Sequence, residues 1–79
     1  MVVARLFKVT CGFAWQDENE SSTWHCASLD GAKRFIARQK DLTWYSIEGE
    51  DFIPCDENDP GGQLYIGMTY FEFHEVKGE

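Results

Sequence analysis

Five side chains in this sequence carry the donors that bind zinc or attack a carbonyl carbon: Cys11, Cys26, Cys55, His25 and His74. Zinc takes four such ligands in a tetrahedron. The spacings here are irregular, and no two cysteines stand as CxxC. His25 and Cys26 are neighbours in a strand-like stretch, so their side chains point to opposite faces. A thiol nucleophile needs a base within hydrogen-bond reach. Cys11 or Cys26 with His74 is the pairing on offer, and no motif surrounds any of the cysteines. An odd number of cysteines does not suit the disulfide framework of a secreted domain. A free thiol packs as a small hydrophobe. The ordinary reading is therefore three packed, reduced thiols and two imidazoles, with no metal and no cofactor. A small cytosolic Cys/His metal-binding or catalytic domain is the alternative.

The carboxylates are the other candidates. Nine of fourteen fall in three short runs: Asp17, Glu18 and Glu20; Glu48, Glu50 and Asp51; Asp56, Glu57 and Asp59. Glu48 and Glu50 could act as an acid–base pair, but such pairs need partly apolar settings, and these lie beside glycine and other acids. Asp56-Glu57-Asn58-Asp59 lacks the spacing of a calcium loop, and Pro60-Gly61-Gly62 interrupts the pattern. Gly61-Gly62 is no phosphate cradle, because no GK[ST] follows. The runs therefore read as surface charge, not as catalytic machinery.

That charge is sorted. Seven bases face the fourteen acids, for a net charge of −7, and Lys33, Arg34, Arg38 and Lys40 lie close together. A protein with a negative side and a positive ridge orients its partners before contact. Acidity argues against direct nucleic-acid binding, which needs clustered lysine and arginine on phosphate. It permits binding to a protein that itself binds nucleic acid. Carboxylates spaced along loops and strand ends can stand where DNA phosphates stand, about every 1.7 Å along the duplex axis.

Seventy-nine residues make one domain, 1–79, with twelve aromatics and 43% hydrophobic residues. No apolar run approaches a membrane span, which takes roughly 18 residues. The start lacks the long apolar stretch of a signal peptide, so a cytoplasmic protein is expected.

Period-two alternation over 3–15 predicts a strand with one buried face, in which Gly12 marks a bulge or bend. Gln16 to Ser22 suits a hairpin loop, and 23–27 a second strand. Ser28 caps the first turn of a helix over 29–40, with Leu29, Ala32, Phe35 and Ile36 on one face. Leu42 to Ile47 is a third strand, Glu48 to Asp51 a turn, and Phe52-Ile53 a short fourth strand. Asp56 to Gly62 is a loop and Gln63 to Val76 a long final strand. The apolar parity of that strand switches from Leu64, Ile66, Met68 and Tyr70 to Phe71 and Phe73. Such a switch marks a bulge near Thr69 or Tyr70, or a strand buried on both faces. The expected class is α+β: an antiparallel sheet of four to five strands with one helix on one face, in the order ββαββ. One helix cannot cover twelve aromatics. Trp15, Trp24, Trp44 or Tyr70 could lie on the open face, where aromatics anchor interfaces.

Two strands, the capped helix Ser28-Leu29-Asp30-Gly31-Ala32-Lys33-Arg34-Phe35-Ile36, a strand bearing Trp44 and a final hairpin form an arrangement that resembles the anti-CRISPR proteins. These are small acidic phage and mobile-element proteins that inhibit host defence. The resemblance lies in size, charge and element order. It implies a stoichiometric, non-enzymatic binder that blocks a nucleic-acid-handling complex in the host cytoplasm. The expected partner is a larger basic protein or nucleoprotein. The expected binding set is Asp17, Glu18, Glu20, Glu48, Glu50, Asp51, Asp56, Glu57, Asp59 and Trp44. A domain docking through its basic helix, by Lys33, Arg34 and Arg38, inverts this reading. A homodimer through an open sheet face or edge is a further one.

Overall fold

The computed structural model describes residues 3–56 and 59–76, with side chains for all but 56 and 59–63. The alternating segment forms β1 (Ala4–Phe13), which pairs antiparallel with β2 (Ser22–Cys26). The helix α1 spans Leu29–Ala37, and β3 (Leu42–Asp56) and β4 (Asp59–Glu75) follow. All four strands form one antiparallel sheet in the order β2-β1-β3-β4. The class is α+β: among the described residues one helix packs on β1, β2 and β3.

The Ser28 hydroxyl accepts a hydrogen bond from the Gly31 amide at 3.0 Å, which starts α1 as expected. The helix stops three residues earlier than predicted. The amides of Arg38 and Gln39 bond to the carbonyls of Phe35 and Ile36, a tightened last turn, and Asp41 takes φ 64°. Lys40 therefore lies beyond the helix. Ala32 is fully buried, and Leu29, Phe35 and Ile36 pack around it. They meet Phe7, Val9, Cys11 and Phe13 from β1 and Ile47 from β3, which form the core. Burying each aliphatic side chain of this kind is worth about 1.5–3 kcal/mol.

The predicted turn at 48–51 and the separate strand after it do not exist: 42–56 is one strand. Gly49 belongs there because the sheet is tight above it. A Cβ at 49 would stand 3.0 Å from the Phe7 ring and 3.1 Å from Tyr70 Cβ. This is a strand glycine set by close approach, not a turn glycine. Pro54 is tolerated because β1 ends opposite Phe52, so β3 beyond that point has only β4 as a neighbour. The predicted loop 56–62 is also mostly strand. Asp56 pairs with Asp59, and β4 begins there. Glu57 and Asn58 lie outside the described residues.

Two expected irregularities are present. The β1–β3 register shifts at Gly12/Phe13. In β4, Gly49 pairs with Tyr70 and Glu50 with Met68, so Thr69 is the extra residue of a bulge. A second shift leaves Ile66 unpaired between Tyr65 and Gly67. The long β3–β4 ribbon gives the molecule extents of 48 × 23 × 19 Å. Its radius of gyration is 14.4 Å, against about 12 Å for a compact domain of this length.

Candidate functional site

Directly paired residues of antiparallel strands share a face, so the register sorts the side chains. Phe7, Val9 and Cys11 of β1 share the helix side with Trp24 and Cys26 of β2 and with Tyr45, Ile47 and Gly49 of β3. On β4 that side carries Tyr70, Glu72 and His74. The open side carries Leu6, Lys8, Thr10 and Gly12, then Trp44, Ser46, Glu48, Glu50 and Phe52. On β4 it carries Tyr65, Met68, Phe71, Phe73 and Glu75.

The open face is half apolar and half acidic. Tyr65, Met68, Phe71 and Phe73 are each 55–58% exposed and form one row along β4. Glu48 and Glu50 stand beside that row on β3, opposite Phe71 and Met68. Lys8 faces Glu48 across the β1–β3 pair without closing an ion pair. Trp44 lies over Gly12, where an added Cβ would fall 2.0 Å from the indole Nε1. Its other neighbour is Phe73, stacked at a centroid distance of 6.0 Å. The glycine is thus what lets the indole lie flat against the sheet.

At its far end Trp44 joins the acidic loop. A shallow cleft of about 380 Å³ is lined by Trp44, Thr43, Gln16, Asp17, Glu18 and Glu20, among others. Gln16 shapes this loop. Its Oε1 accepts from the Phe13 amide at 3.1 Å, and its Nε2 donates to Ser22 Oγ at 2.9 Å. The Glu20 amide closes a turn on the Asp17 carbonyl at 2.9 Å. The fold therefore brings together Asp17, Glu18, Glu20 and Trp44, with Glu48 and Glu50 further along the same face.

Asp51 does not belong to this set. It pairs with Arg5 and Gly67, on the side opposite Glu48 and Glu50. Arg5 Nε bonds its Oδ1 at 2.7 Å, which neutralises a mostly buried carboxylate. The side chains of Asp56, Glu57 and Asp59 lie outside the described residues. Two of the aromatics placed on the open face from sequence are also elsewhere. Trp24 packs on Phe35 at 4.9 Å, and Tyr70 meets Phe7 edge-on at 6.4 Å. Trp15 stacks on Phe13 at 5.2 Å, at the end of the core. The exposed anchors that sequence reasoning missed are Tyr65, Met68, Phe71 and Phe73. Their signal was the parity switch: a bulge at Thr69 returns Met68, Phe71 and Phe73 to one face.

The cysteines and histidines do not assemble. Cys11 and His74 are held apart by β3, with Tyr45 paired to both. Two strand spacings amount to about 10 Å, beyond hydrogen-bond reach. Burial pushes the Cys11 thiol up to about 11, so it is protonated and inert. His25 and Cys26 face opposite sides, as expected of a strand. Among the described residues, no three His, Cys, Asp or Glu side chains gather as a metal site.

One polar strip borders α1. The Tyr70 hydroxyl donates to Glu72 Oε2, and His74 Nε2 sits against Glu72 Oε1. The Tyr45 ring stacks on His74 at 4.8 Å. The hydrogen bond from Tyr70, then His74, then the charge of Lys33 hold the Glu72 carboxyl below its ordinary range. The same bond to Glu72, followed by burial, raises the Tyr70 phenol, and burial chiefly raises Tyr45. Phenols held neutral are poor nucleophiles, and the strip reads as a brace between β3 and β4.

Among the described residues, no helix is long and apolar enough to cross a membrane. Comparison of the chain with protein-family models, curated proteins and solved structures finds no match.

Proposed function

We propose that this is a non-enzymatic binding protein whose open sheet face docks on a basic surface of a larger nucleic-acid-binding assembly and denies that surface to DNA or RNA. The observation that carries the reading is the pairing, on one face, of carboxylates with no arginine or lysine closed upon them and a row of exposed aromatics. Among the described residues, Arg5–Asp51 is the only ion pair of a carboxylate with arginine or lysine. Glu48 and Glu50, each half-buried, stand on this face, and the cleft at Trp44 adds Asp17, Glu18 and Glu20. Charges of one sign on a face accelerate encounter and set orientation. Desolvated aromatic anchors supply most of the holding energy. Phe71, Phe73 and Trp44 are placed for that part, and the acids for steering.

The resemblance to anti-CRISPR proteins supports the same class: a stoichiometric inhibitor acting in the host cytoplasm on a nucleoprotein complex. The basic helix is the competing surface. Lys33, Arg34, Arg38 and Lys40 are all exposed, on the opposite side from Glu48 and Glu50.

The test is capture from the native host on immobilised protein, followed by elution with duplex DNA or RNA. The reading expects a nucleic-acid-binding protein that is retained by the wild type, lost from Glu48→Lys/Glu50→Lys, and displaced by the competing nucleic acid. Retention unaffected both by the competitor and by the charge reversal would overturn it.

A further inference from the structure

We infer that the free edge of β4 pairs with itself, so that two copies of this chain join through Phe71–Glu75 into one continuous antiparallel sheet. The inference rests on the backbone of an edge and not on the docking reading, and its tests read self-association alone.

The backbone geometry specifies the register. The Val76 amide bonds the Thr43 carbonyl at 2.8 Å, so Val76 and Thr43 form a hydrogen-bonded pair. Hydrogen-bonded and non-bonded pairs alternate along an antiparallel ladder. His74, Glu72 and Tyr70 therefore turn their amides and carbonyls toward β3. Glu75, Phe73 and Phe71 turn theirs outward, to an edge that has no strand beyond it among the described residues. One two-fold arrangement pairs all of these outward groups. Phe73 sits on the axis opposite Phe73 of the second copy, and Phe71 opposite Glu75 on either side. Each such pair exchanges two backbone hydrogen bonds.

The side chains agree with that register. The intervening pairs set Glu72 against His74 of the second copy, twice over. These are non-bonded positions, where facing side chains approach most closely, so an acid meets an imidazole and not its own kind. On the open face, Phe73 meets Phe73, and the exposed aromatic row of one copy runs into that of the other. A long unpaired edge is ordinarily blunted by lysine, proline, a bulge or a covering element. From Tyr70 to Val76 there is neither lysine nor proline. The register there is regular: the shifts in the β3–β4 pairing, at Gly49/Glu50, Asp51/Phe52 and Pro54/Asp56, all lie outside it. The helix packs on β1, β2 and β3, and among the described residues no element covers the outer edge of β4.

Two measurements test this on the full-length chain. Sedimentation equilibrium should show the mass rising reversibly from 9.1 kDa toward twice that value as protein is raised from about 1 μM to about 1 mM. Over the same range, amide exchange at Phe71, Phe73 and Glu75 should slow, while the amides that already face β3 stay unchanged. Glu75→Pro removes an outward amide that the monomer does not use, and Phe73→Lys puts two cations on the axis; both variants should remain monomeric. A wild type that stays at 9.1 kDa throughout, or a dimer whose Phe71, Phe73 and Glu75 amides gain no protection, overturns the inference whether or not the variants fold.

Discussion

Gly12 shows how much one absent side chain can set. The Trp44 indole occupies the space a Cβ would need. Gly12→Ala must push the indole off the sheet, and forced overpacking of this kind costs about 1–3 kcal/mol. Chemical denaturation followed by tryptophan fluorescence should show that loss, together with a changed native spectrum. Glu72 offers a pH test at the same scale. Its carboxyl is held below the ordinary value of 4.5 by Tyr70, His74 and Lys33. A depressed folded value means that the carboxylate stabilises the fold above the unfolded value. That contribution is lost as pH falls through the folded value. Wild type should therefore lose more stability than Glu72→Gln between about pH 5 and about pH 3. Parallel acid titrations of the two proteins, followed by circular dichroism, check the sign. Of the three thiols expected to be packed, Cys11 is buried on β1 and Cys26 half-buried, but Cys55 is exposed, because β3 beyond Phe52 runs past the end of β1 and away from the core.

At the scale of elements, the sequence revealed whatever rested on local pattern. The alternation of β1, the Ser28 cap and the apolar stripe of α1 are each written in consecutive residues and reappear in the fold. Ser28→Ala should lower stability by about 1 kcal/mol through loss of the bond to the Gly31 amide, measurable in urea. The failures came where a neighbour decides. Glu48-Gly49-Glu50-Asp51 has turn composition, yet Phe7 and Tyr70 close over Gly49 and the chain runs straight through. That error had a consequence for the site. A turn would display all three acids together, whereas a strand sends Glu48 and Glu50 one way and Asp51 the other, into the grasp of Arg5. The Thr69 bulge was legible from parity, but which aromatics it exposes was not. That follows only from the pairing of Met68, Phe71 and Phe73 with Glu50, Glu48 and Ser46.

At the scale of the whole molecule, the structure divides two surfaces. The helix side carries Lys33, Arg34 and Arg38 and covers the core. The open side is acidic, aromatic and bare. The proposed docking of this acidic face on a basic partner would be driven in part by charge. Such encounters weaken with salt, since exposed charges are screened within about 10 Å at 0.1 M ionic strength. Both faces are charged, so salt alone does not tell them apart, whereas reversing each face in turn does. Arg34 and Arg38 are exposed, and reversal at such surface sites usually leaves stability within about 0.5 kcal/mol. Glu48→Lys sets a lysine opposite Lys8, a destabilising pair, so circular dichroism and a denaturation midpoint are taken for both variants before binding is read. The decisive measurement is calorimetric titration of the captured partner with Glu48→Lys/Glu50→Lys and with Arg34→Glu/Arg38→Glu, side by side. The sheet-face reversal should weaken binding by about tenfold or more, equivalent to about 1.4 kcal/mol, with the helix reversal close to wild type. Full affinity after the sheet-face reversal, with loss after the helix reversal, would contradict the account.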